Sequence, residues 1–167
     1  MVTPKIICLN GTSSAGKTAI AKQLQEKLLP TVYLNFSIDS ILYTLPPSAL
    51  YRMTHGQGIS DLNYPQLVRS FNDCVTRLVE MGHFLVIDNA MDRTEQVVDL
   101  LDRVQPYTIL LVGVHCSLDE LNRRERQRQD RTIGEAAAQF NRVHRGFIYD
   151  IEVDSSAKGA SELAGEI

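Results

Sequence analysis

Apolar residues in this chain fall into short, nearly continuous runs separated by stretches of helical spacing. The runs at about 5–10, 31–36, 83–88, 107–115 and 149–154 predict five strands. Runs such as Ile109-Leu110-Leu111-Val112, with no polar alternation, fit strands covered on both faces. Ile20, Leu24 and Leu28 share one helical face after the first run. A second helix is predicted over 65–81, stopped by Gly82, and Leu163 and Ile167 allow a short terminal helix. Strands alternating with helices predict a single α/β domain over 1–167 with a mainly parallel sheet. The stretch 45–64 breaks the pattern, because Pro46, Pro47, Gly56, Gly58 and Pro65 interrupt any long period at or beside it. It reads as an irregular segment, either a lid or acceptor-site loop over a pocket or an ordinary connection.

Composition narrows this little: 44% apolar and 22% charged residues are ordinary for a soluble globular chain. No run is long enough for a membrane-spanning helix, and no signal-peptide pattern is evident at the N-terminus. Cys8, Cys74 and Cys116 are odd in number and widely spaced, so they read as buried thiols of a reducing compartment. The cytoplasm is the expected location. The net charge of −3 is uneven, since 122–145 holds seven arginines against three acids. A basic island in an acidic chain points to bound phosphates more than to a long nucleic acid.

Candidate chemistry then takes over. Gly11-Thr12-Ser13-Ser14-Ala15-Gly16-Lys17-Thr18 is a G-x-x-x-x-G-K-[ST] loop between a predicted strand and a predicted helix. In that context the glycines let backbone N–H groups turn towards a phosphate at the positive end of the helix. Lys17 is expected to reach the β- and γ-phosphates, and the Thr18 hydroxyl to bind Mg²⁺. Asp88 closes the third strand and is the candidate second metal-side carboxylate, the alternative being a strand-ending turn residue. Asp39 lies just past the second strand, where a carboxylate can orient an acceptor hydroxyl and take its proton; it also suits a helix cap. Arg124, Arg128 and Arg131 recur at i, i+4, i+7 and suit a lid over a nucleotide. The alternative is a solvated helix face on which Glu125 and Asp130 pair with neighbouring arginines. His144, at a helix end, reads as structural, and His55, His83 and His115 have no evident partner.

Taken together these residues predict a Mg²⁺-assisted nucleotide-phosphate site with a carboxylate placed for phosphoryl transfer to a small-molecule hydroxyl. A nucleoside or polynucleotide-end kinase is one alternative. A non-catalytic nucleotide-binding regulatory protein is another, though the chain lacks the N-K-x-D signature of GTPase switches.

Three segments resemble the chloramphenicol phosphotransferase family of P-loop small-molecule kinases. They are residues 9–18; residues 36–42 around Ser37-Ile38-Asp39-Ser40; and residues 112–116 continuing through Arg124, Arg128, Asp130-Arg131 and Val143–Gly146 to 149–155. The resemblance implies a five-stranded parallel sheet in an adenylate-kinase-like arrangement, with ATP and Mg²⁺ as co-substrates. It implies that Asp39 is the catalytic base and Asp88 the second active-site acid. Arg128 and Arg131 become lid arginines within about 124–134, Arg124 the residue stacked on adenine, and Asp154-Ser155 a border of the adenine site.

Overall fold

The computed structural model describes residues 3–60, 62–91, 94–127 and 134–167. Among these, five strands form one parallel sheet: β1 (Ile6–Asn10), β2 (Tyr33–Asn35), β3 (Phe84–Asn89), β4 (Ile109–His115) and β5 (Ile151–Asp154). Their order is β2-β3-β1-β4-β5, which places β1 at the centre. The helices are α1 (Lys17–Lys27), α2 (Ile38–Leu42), α3 (Pro47–Thr54), α4 (Tyr64–Glu80), α5 (Thr94–Arg103), α6 (Leu118–Gln127), α7 (Glu135–Phe140) and α8 (Ala160–Glu166). None of the described helices is long and apolar enough to cross a membrane.

The strand period of two explains how the sheet is covered. All five residues of β1 are buried. Ile7 and Leu9 face a core shared with Ile20 and Leu24 of α1, Leu121 of α6 and Leu163 of α8. Ile6 and Cys8 face the opposite core, built with Phe71, Val75 and Val79 of α4 and Val97 and Leu100 of α5. Each fully buried side chain of this size contributes about 1.5–3 kcal/mol of transfer free energy. Helices on both faces account for strands that read as continuous apolar runs.

Two expectations change. The irregular stretch contains α3, which Pro47 opens rather than blocks; a first-turn proline needs no amide partner. Cys8 and Cys116 are buried as expected, but Cys74 is exposed, on the outer side of α4.

Parallel register aligns the strand ends where ligands bind in such sheets. Asn10 pairs in register with Asn89 of β3 on one side and Gly113 of β4 on the other. Leu9 lies beside Asp88. The P-loop, Asp88 and the start of α2 therefore emerge together at one edge.

Candidate active site

The P-loop leaves β1 and turns into α1 with two left-handed residues, Ser14 (φ 63°) and Gly16 (φ 87°). Such turns direct successive N–H groups to one side, into an anion-binding concavity at the helix start. Ser13 Oγ and Ser14 Oγ are buried with no hydrogen-bond partner among the described residues. Buried hydroxyls are normally paired, so this donor-rich loop fits a polyphosphate. Lys17 is also buried, and its Nζ donates to Gly11 O (2.9 Å) and Thr12 O (2.8 Å), which holds the ammonium across the loop. Gly11 serves packing rather than left-handed geometry: a Cβ there would lie 2.4 Å from Val114 O.

Asp88 and Thr18 both line the cleft in front of the loop, giving hard oxygen donors of the kind Mg²⁺ prefers. Beneath them, burial pushes the Cys8 thiol up to about 12, and the Asp88 charge adds to the shift, so Cys8 is an inert packing group. Asp39 lines the same cleft from the first turn of α2. The cap of that helix is Ser37, whose N–H donates to Ser40 Oγ at 3.2 Å, so the capping role considered for Asp39 belongs two residues earlier. Asn89 Oδ1 accepts from Ile38 N at 2.9 Å, tying the start of α2 to the end of β3.

Among the described residues, Arg124 makes four hydrogen bonds. Its Nε donates to Glu120 Oε1 (2.7 Å), Nη2 to Ser155 O (2.5 Å), and Nη1 to Ser155 Oγ (3.3 Å) and Ser14 O (3.4 Å). Hydrogen bonds from Arg123 and then Arg124 pull the Glu120 carboxyl down to about 2. The guanidinium thus bridges the P-loop and the segment after β5. Ser155 Oγ also donates to Ala15 O at 2.8 Å. Arg128 and Arg131 lie outside the described residues. Glu125, read as a surface partner of arginines, is instead 2% exposed. It accepts from Gly134 N (2.6 Å) and Ala136 N (3.0 Å), capping α7. Gln139 of α7 accepts from Ser13 N at 2.7 Å and docks that helix on the P-loop.

Behind the loop runs a polar network that sequence reasoning missed. Fully buried Asn10 donates through Nδ2 to Val143 O and Tyr149 Oη, both at 2.9 Å, and accepts from Met91 N at 2.8 Å. The Tyr149 hydroxyl in turn meets His144 Nδ1 at 2.8 Å. His144 therefore lies in the turns beyond α7, not at a helix end, and it stacks on His115 at 4.1 Å. Burial first, then the neighbouring His115 charge, lower the His144 imidazole to about 4, which keeps the ring neutral at ordinary pH. His115, for which no partner was evident, contacts Glu152 Oε2 at 2.6 Å. Gly113 makes room for this network, since a Cβ there would lie 2.7 Å from the Tyr149 ring.

Facing the phosphate side across the cleft is an apolar wall of Leu42, Tyr43, Pro47, Leu50, Tyr51, Met53 and Tyr64, contributed by α2, α3 and the start of α4. The whole cleft measures about 1420 Å³. It is edged by α7 residues Glu135 and Gln139 and by Gly134 before that helix. The segment 45–64 supplies much of the wall, and the Tyr51 and His55 rings stack there at 3.9 Å.

Residues 4–167 match the chloramphenicol phosphotransferase-like protein family. The chain belongs to that family. A proposed O-phosphotransferase of Mycobacterium tuberculosis is 29% identical over 185 residues, spanning 98% of this chain and 80% of the relative. Among solved structures, an unliganded sugar kinase from Janibacter superposes with a TM-score of 0.77 at 15% identity, covering 98% of this chain and 92% of that one. The Mycobacterium tuberculosis APS kinase in complex with AMPPNP and APS gives 0.70 at 17% identity, covering 98% and 94%. The fold is thus that of P-loop kinases, and the family is one of phosphotransferases.

Proposed function

We propose that the protein transfers the γ-phosphate of ATP to a hydroxyl of a small molecule. The observation that carries this reading is one cleft lined by a P-loop, Asp88 and Arg124 on one side, and by Asp39 with an apolar aromatic wall on the other. A nucleotide-binding site alone has no use for the second half.

The P-loop amides and Lys17 hold the β- and γ-phosphates, with the two buried serine hydroxyls as added partners. Thr18 and Asp88 hold Mg²⁺, which when bound with ATP offsets charge shifting towards the leaving β-phosphate oxygen. Asp39 accepts a hydrogen bond from the acceptor hydroxyl and takes its proton as the oxygen–phosphorus bond forms. Arg124, fixed against Ser155, borders the adenine side. Arg128 and Arg131 are assigned to charge neutralisation on family resemblance. Most of the rate gain is positioning and electrostatics, as expected for phosphoryl transfer. The acceptor is a small molecule, and the protein is expected to act in the cytoplasm.

The test is incubation with ATP and Mg²⁺ against a panel of antibiotics and hydroxylated metabolites, chloramphenicol included, read by mass spectrometry. A compound heavier by one phosphoryl group is the expected result. Tight ATP binding with no phosphorylated compound favours a nucleotide-binding regulatory protein instead.

A further inference from the structure

Two buried carboxamides remain unexplained by the donor half of the cleft. Asn72 sits on the apolar face of α4 beside Phe71 and is 3% exposed; Asn89 ends β3 and is 8% exposed. Each is only partly paired by the protein. Asn72 Nδ2 donates to Asp99 Oδ2 at 2.6 Å, and its Oδ1 receives no hydrogen bond among the described residues. Asn89 Oδ1 accepts from Ile38 N, and its Nδ2 has no partner among the described residues. Neither atom is sealed from open space, in contrast with the two P-loop serine hydroxyls.

The space they share is a pocket of about 30 Å³, walled otherwise by Val68, Phe71 and Met91. It adjoins the main cleft, with Ile38, Tyr64, Asn89 and Ala90 lining both. That volume suits one water-sized group with polar neighbours. Water can pair with both carboxamide atoms in this open pocket, and a ligand oxygen that displaces it must reproduce those hydrogen bonds.

We infer that this side pocket is a subsite of the acceptor cleft that takes one neutral oxygen substituent of the acceptor, a hydroxyl or a carbonyl. Asn89 Nδ2 donates to that oxygen, and Asn72 Oδ1 accepts a hydrogen bond from it when the substituent is a hydroxyl. A carboxylate or phosphate is disfavoured, because the Asp99 carboxylate stands behind Asn72. The inference rests on the kinase reading above, since it assigns a determinant of acceptor choice at the same site. Because Asn89 also holds the N-terminus of α2, the same side chain positions Asp39 and reads the acceptor.

The test uses Asn89→Asp and Asn89→Ala with the panel compound that the wild-type protein phosphorylates fastest. Asn89→Asp keeps an oxygen for Ile38 N and replaces the donor that faces the pocket, so it preserves the α2 tether. Both variants are expected to raise KM for that compound about tenfold, the loss of one neutral hydrogen bond, with ATP affinity within about twofold of wild type. An unchanged KM in Asn89→Asp overturns the inference. So does a loss of ATP affinity that accounts for the whole effect, because that marks charge repulsion in the donor half. A second readout is the Asn89 side-chain amide resonance on adding the same compound to protein loaded with AMPPNP. It is expected to shift, and a fixed resonance while the Asp39 backbone signal moves overturns the assignment. If the wild-type protein phosphorylates nothing in the panel, the kinase reading fails and this inference falls with it.

Discussion

Replacing Gly11 with alanine tests whether the P-loop is held in place by direct packing on the central strands. A Cβ at residue 11 would lie 2.4 Å from the Val114 carbonyl oxygen, where ordinary contact begins at 3.4 Å. The obstacle is backbone in β4, which is paired to both β1 and β5 and has little freedom to retreat. The loop must therefore lift by about 1 Å, and overpacking of this kind costs about 1–3 kcal/mol. For a domain of this size, about 2 kcal/mol lowers Tm by about 4–8 °C. The functional loss is expected to be larger, because a displacement near 1 Å reduces phosphoryl-transfer rates by about 10²-fold. Gly58→Ala is the control: nothing lies within 4 Å of its added Cβ, and its backbone is not left-handed. Calorimetric ATP titration and thermal melts of both variants check the argument. Wild-type affinity and Tm in Gly11→Ala would refute it.

Other consequences follow from the same geometry. Asp39→Asn is expected to reduce transfer by about 10²–10⁴-fold with ATP affinity nearly intact, measured by turnover and calorimetry; full activity would remove Asp39 as the base. Arg124→Lys loses the fork that spans Ser155 and Ser14, so KM for ATP is expected to rise about tenfold, and steady-state kinetics read the change. His144 has a folded-state value near 4 against an ordinary 6.5, so between these values the unfolded chain binds more protons. Stability is therefore intact above 6.5 and declines as pH falls towards 4. Solvent screening of the partly buried ring reduces the full conversion of the shift to about 1–2 kcal/mol. Denaturant titrations of wild type and His144→Gln over that window should differ by this amount, and identical pH slopes would contradict the assignment.

The donor half was legible because its chemistry is local in sequence. A loop of fixed spacing, a strand before it and a helix after it place Gly11 to Thr18 without knowledge of the remaining fold. The strands were legible because burial on both faces leaves continuous apolar runs. What sequence reading missed depends on strand order. Asn10, Asn89 and Gly113 become neighbours only through the β3-β1-β4 pairing, so their hydrogen bonds and packing have no local signature. Asn72 was hidden for a related reason: a polar residue on an apolar helical face is defined by what packs opposite it. Glu125 looked like one charge among many arginines, yet the return of α7 encloses it. The prolines in 45–64 suggested irregularity, while Pro47 in fact opens a helix that carries part of the aromatic wall.

Donor and acceptor halves facing one another across a single cleft is the central claim. The most direct measurement follows the label of γ-labelled ATP in the presence of Mg²⁺, the protein and the acceptor panel. Label is expected in a phosphorylated small molecule, and it is expected to be lost in Asp39→Asn although ATP still binds. Label confined to ATP and inorganic phosphate across the panel would contradict it.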